Sequence, residues 1–104
     1  MKRVLLECRD LFFRGKLQAV VRSSGSEPVR EPPVDVAVIE LTKPNAETRI
    51  REFVQRGIPV LAFGSHTDAA ALRAARDCGA RAVPNSEIEN SLRALLSTAS
   101  DGGA

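Results

Sequence analysis

The side chains with chemical potential in this chain fall in four short stretches. They are Glu7-Cys8-Arg9-Asp10, Glu40 to Pro44, Gly64-Ser65-His66-Thr67, and Pro84-Asn85-Ser86. Glu7, Asp10 and Glu40 are carboxylates that could converge on a magnesium ion, but Arg9 stands among them. Cys8 could act as a nucleophile if Arg9 beside it and His66 across a crevice activated it. A phosphate cradle needs a glycine-rich loop leading into a helix, and neither G-x-G-x-x-G nor a P-loop occurs. Cys8 and Cys78 lack metal-ligand spacing, and the single histidine, His66, cannot complete a zinc set with them. No metal and no cofactor are therefore expected.

These stretches form one site only if the fold gathers them, so the elements between them matter. Val4-Leu5-Leu6 makes Arg3 to Glu7 a buried strand. Leu11 to Arg22 follows as a helix capped by Asp10, with Phe13, Leu17, Val20 and Val21 on one face. Ser23-Ser24-Gly25-Ser26 ends it. Glu27 to Pro33 carries three prolines and holds at most a short edge strand. Val34 to Leu41 is the clearest strand, β-branched and nearly continuous, as a central parallel strand should be.

Thr42-Lys43-Pro44-Asn45 reads as a loop, with Asn45 capping a helix from Ala46 to Arg56 that Gly57 closes. Ile58 to Phe63 is another buried strand. Thr67 is the expected cap of an alanine-rich helix from Ala69 to Cys78, closed by Gly79. Arg81 to Val83 is a short strand. Ser86-Glu87-Ile88-Glu89 has the form of a capping box. It opens a last helix that runs to about Leu96 on Ile88, Leu92, Leu95 and Leu96. Ser97 to Ala104 reads as a polar tail, which puts the domain at 1–97 and a disordered tail at 98–104.

Strands alternating with helices predict a doubly wound parallel sheet of flavodoxin-like type, with a weak second strand. In such sheets the working crevice lies at the carboxyl ends of the strands, and all four chemical stretches fall there. The 104 residues leave room for one small domain. With no Trp or Tyr and four Phe, its core must be aliphatic. Fifteen basic against thirteen acidic residues give a net charge of +2, with no basic run, so no nucleic-acid stripe is expected. The N-terminal apolar run is too short for a signal peptide, and no stretch approaches membrane-spanning length. A cytoplasmic protein with reduced thiols is expected, bound to no membrane.

The order of these elements resembles the receiver domain of bacterial two-component response regulators. Asp35-Val-Ala-Val-Ile-Glu40-Leu-Thr-Lys-Pro44 is similar to that family's third strand and following loop. Ile58-Pro-Val-Leu-Ala-Phe63 is like its fourth strand, and Ala74-Ala75-Arg-Asp-Cys-Gly79-Ala80 like its "A-h-x-x-G-A". The resemblance covers nearly the whole chain. It implies a site built from an acceptor aspartate, a magnesium-binding acidic pair, a switch hydroxyl and a lysine. Here those positions fall on Glu40, on Cys8 and Arg9, on Gly64 with Ser65 following, and on Asn85 or Ser86. Each departure removes a part of one reaction.

The resemblance thus implies a pseudo-receiver that keeps the fold without phosphoryl transfer. Arg9 would place a fixed positive charge in the metal site and is expected to pair with Glu40, its guanidinium standing in for the metal. Glu40 is then either an inactive acid or a built-in mimic of the phosphorylated state.

The first functional reading is a phosphorylation-independent signalling module, not an enzyme, that binds a protein partner or itself as a homodimer. The alternative is a small-ligand binder or residual enzyme using Glu40, Arg9, Ser65 and His66 in the crevice. A third is a receiver still phosphorylated on Glu40 or Asp10. Ala69-Ala70-Ala71 is either a smooth docking surface or simply good helix. Measured against the family, the chain is short between Arg22 and Val34, so the second helix should be missing. Four helices are expected, with an exposed apolar patch near Glu27 to Pro33.

Overall fold

The computed structural model describes residues 1–42 and 44–101, the side chains of 98–101 excepted. Five strands form one sheet: β1 (Arg3–Glu7), β2 (Glu27–Val29), β3 (Val36–Glu40), β4 (Val60–Gly64) and β5 (Arg81–Pro84). Among the described residues four α-helices accompany them: α1 (Leu11–Ser23), α2 (Ala46–Gln55), α3 (Ala69–Asp77) and α4 (Ile88–Asp101). A single 3-10 turn, Asn85–Glu87, leads into α4. The sheet order is β2-β1-β3-β4-β5, and every neighbouring pair is parallel. None of the described helices is long and apolar enough to cross a membrane.

The alternation of strand side chains builds two cores. Val4, Leu6, Val36, Val38, Leu61 and Phe63 face α1 and α4, which contribute Leu17, Val21, Ile88 and Leu92. Leu5, Ala37, Ile39, Val60 and Ala62 face the other way, onto Ile50 and Phe53 of α2 and Leu72 of α3. With both faces covered, β3 and β4 are buried along their whole length, which is why their sequences are continuous apolar runs.

Helix ends follow the sequence closely but not in every detail. Asp10 accepts from the amides of Phe12 and Phe13 and starts α1. Asn45 stands at the start of α2 without a side-chain capping bond. Asp68, not Thr67, caps α3, its carboxylate accepting from Ala71 N at 3.1 Å. Thr67 instead shares a hydroxyl hydrogen bond with Ser65. The capping box of Ser86 and Glu89 does not form among the described residues: the chain first makes its 3-10 turn, and Glu89 lies 3.9 Å from Lys16. Helix α4 runs past Leu96 to Asp101, because Leu96 is still buried against the core. Lys43 and residues 102–104, the end of the expected tail, lie outside the described residues.

No helix separates β2 from β3. Residues 30–35 cross directly from β2 to the start of β3, and Arg3 fastens them. Its guanidinium donates to the carbonyls of Pro33 and Glu31, and its amide donates to the Asp35 carboxylate at 2.8 Å. The apolar patch expected beside this segment is absent among the described residues. Leu5 beneath it is 5% exposed, and Val29 and Val34 are half-buried against the core. The exposed large apolar residues are Met1, Leu11 and Phe12, the last two at the start of α1.

Candidate functional site

The carboxyl ends of β1 and β3 meet at the point where strand order reverses, with β2 on one side and β4 on the other. Glu40 is the last residue of β3 and is paired across the sheet with Phe63 of β4. Strand geometry buries it to 8% exposure, yet its side chain is polar. A buried carboxylate must find donors, and Glu40 finds them in the loop after β1. Its Oε1 accepts from Arg9 N at 2.7 Å and, more weakly, from Asp10 N at 3.4 Å.

The contact is to the backbone of Arg9. No Arg9–Glu40 ion pair forms among the described residues, which corrects the expected guanidinium bridge. The side chain of Arg9 is exposed instead. Cys8 is buried behind it, 1% exposed, with its thiol donating to the Asp10 carbonyl at 3.3 Å. Burial first, and the Glu40 charge next, push the Cys8 thiol up to about 11. A thiol held protonated at neutral pH is a small apolar filler, not a nucleophile.

Two arginines shape this corner without any warning in the sequence. Arg14, one turn into α1, reaches back and donates to the Cys8 carbonyl at 2.5 Å. Arg49 on α2 donates in fork fashion to both oxygens of Glu7, and its Nη1 donates to Glu52 at 3.3 Å. Glu7 is thereby used up as an ion-pair partner. Asp10 is used up as a helix cap. The carboxylates that could have converged are therefore dispersed, and no group of three or more His, Cys, Asp or Glu among the described residues is placed to hold a metal.

The rest of the crevice is equally quiet. Gly64 closes β4, and a side chain there would touch Leu41 at 3.4 Å. Ser65 and His66 follow it in an exposed turn. Asn85 and Ser86 enter the 3-10 turn after β5. Among the described residues, hollows of about 590 and 360 Å³ open on the surface, and Glu40, Arg9, Ser65 and His66 line neither of these.

No family model matches the chain, and no curated protein matches it. Solved structures do. A response regulator receiver protein from Pseudoalteromonas atlantica superposes with a TM-score of 0.77 over 98% of this chain and 99% of that one, at 15% identity. The BeF3-activated DrrB receiver domain gives 0.80 over 94% and 96%, at 14% identity. An orphan response regulator of H. pylori gives 0.72 over 96% and 94%, at 16% identity.

The chain has the receiver fold.

Within the receiver fold, Cys8 and Arg9 follow the first strand, Glu40 ends the third, Gly64 ends the fourth, and Asn85 and Ser86 follow the fifth. The receiver fold here carries four α-helices, with a bare crossing in place of one between β2 and β3.

Proposed function

We propose that the chain is a phosphorylation-independent receiver-like signalling module that binds a protein partner or a second copy of itself. On this reading Glu40 stands at a degenerate acceptor position and Cys8 and Arg9 at degenerate metal positions. Gly64 and Ser65, with Asn85 and Ser86, fill the switch and lysine positions. The observation that carries the reading is the Glu40 carboxylate itself, which ends on the Arg9 and Asp10 amides. An acceptor must point its oxygen at an incoming phosphoryl group beside a cation that offsets the charge. Here the oxygen is already bonded to main-chain donors. The neighbouring carboxylates are engaged elsewhere, Glu7 by Arg49 and Asp10 as the cap of α1.

Such a module acts through its surface and needs no chemistry. Leu11 and Phe12, 76% and 66% exposed at the start of α1, supply an apolar contact point of the kind that interfaces bury. Incubation of the whole chain with magnesium and acetyl phosphate, followed by intact mass measurement, tests the first half of the proposal. An unchanged mass is expected, and a stable gain of one phosphoryl group would overturn it. Sedimentation of the chain, alone and mixed with extract of its native cell, tests the second half. A boundary that stays at the monomer position in both would sink it.

A further inference from the structure

The hollow of about 590 Å³ lies beside the crevice, where β2 ends. Strand β2 stops at Val29, which pairs with Leu5. Leu6 and Glu7 therefore continue β1 with no strand on that side. Helix α1 flanks one face of this step and α2 the other, leaving a notch of about 590 Å³. In ordinary proteins, sites of roughly 300–1,000 Å³ hold small organic ligands.

The notch is charged in one sense. Arg14 and Arg22 from α1, Arg30 just after β2, and Arg49 from α2 line it, against a single carboxylate, Glu7. Four cations against one anion leave an excess of three, more than the +2 of the entire chain. Glu7 is already forked by Arg49, so it neutralises only that one. Arg22 and Arg30 are exposed and pair with no acid among the described residues. Arg14 holds its Nε buried with no acceptor among them, while its Nη2 serves the Cys8 carbonyl. A buried N–H without an acceptor is costly.

Three guanidiniums without carboxylate partners around one concavity are suited to phosphoryl oxygens. The guanidinium fork matches phosphate geometry, stays charged at every working pH, and is weakly hydrated. Each phosphoryl group brings about 1.5 to 2 negative charges, so two of them bring about 3 to 4 against that excess. Leu5, Pro28 and Val29 also line the notch and would face the carbon part of the ligand.

We propose that this notch binds a small organic molecule bearing two phosphoryl groups. Glu40 does not line the notch, and the proposal stands whether or not the chain is a signalling module.

The test is calorimetric titration of the whole chain with pyrophosphate, with ADP as an organic diphosphate, and with adenosine. Pyrophosphate and ADP should bind, adenosine should not, and affinity should fall as sodium chloride is raised. Arg22→Ala and Arg30→Ala should each weaken pyrophosphate binding about tenfold or more, the loss expected for one charged hydrogen-bonding group. Both side chains are exposed and unpaired, so both variants should melt like the parent. Arg81→Ala removes the same charge from an exposed position on β5, at the opposite edge of the sheet. It should bind pyrophosphate as the parent does. The proposal fails if pyrophosphate gives no heat. It fails equally if Arg81→Ala weakens binding as much as Arg22→Ala. It also fails if a poly-glutamate peptide binds while pyrophosphate does not.

Discussion

Glu40 Oε1 lies 2.7 Å from the backbone nitrogen of Arg9, so a buried carboxylate ends on a main-chain donor where two parallel strands part. The residue type at position 9 contributes nothing to that bond. Its side chain points to solvent while its amide does the holding. The arrangement seals the loop after β1 onto the end of β3.

Replacing the acid and replacing the base should therefore differ sharply. Glu40→Ala strips the acceptor from two amides at a buried corner and should cost about 1–3 kcal/mol of stability. Arg9→Ala keeps the amide and should fall within about 0.5 kcal/mol of the parent. Urea denaturation of both variants decides the matter. Equal losses would mean that the guanidinium, not the backbone, holds Glu40.

Glycine positions offer a second contrast. Gly79 has φ +103°, and a Cβ there would meet Val54 Cγ1 at 3.0 Å. Gly79→Ala should destabilise by about 1–2 kcal/mol through backbone strain alone, more if Val54 cannot yield. Gly15 lies inside α1 with nothing within 4 Å. Gly15→Ala should stabilise by about 0.5–1 kcal/mol through helix propensity. Opposite shifts of the urea midpoint are the expected result.

Alkaline pH should reveal the buried thiol. An ordinary thiol titrates near 9.0, and Cys8 in the folded chain is raised to about 11 by burial and the Glu40 charge. The unfolded chain thus loses its thiol proton first. Stability contributed by keeping Cys8 neutral is complete below pH 9.0 and is lost progressively as pH climbs toward 11. Cys8→Ala should flatten the fall in stability over that window relative to the parent. In the folded protein Cys78, which is only half-buried, should react with a thiol reagent before Cys8 does.

Arg49 should not tolerate lysine. It forks Glu7, contacts Glu52, and lies over the Phe53 ring at 4.7 Å. An ammonium keeps the charge but loses the planar fork and the stacking. Arg49→Lys should lose about 1 kcal/mol, a figure kept small because the pair is partly solvated. Added salt should narrow the gap only slightly, because the stacking and the fork geometry are not screened.

The alternation of strands and helices is written along the chain, because the apolar period changes from continuous to helical at each loop. The sequence also marked the helix stops at Gly57 and Gly79, where no other residue accepts the backbone cheaply. The missing helix was legible as a shortage of residues between Arg22 and Val34. What fills the space was not. That Leu5 is covered, and that Arg14, Arg22, Arg30 and Arg49 line the step beside it, follows from how separate elements pack.

Those four residues come from α1, the end of β2 and α2, and no spacing along the chain relates them. The same holds for Glu40. Its identity at the end of β3 was plain, but its partner was a peptide group. A backbone amide has no residue type to read, so the sequence could name only the wrong half of Arg9. Local periodicity is written in residue types, whereas long-range donors and charges are assembled by the crossovers that bring separate elements to one edge of the sheet.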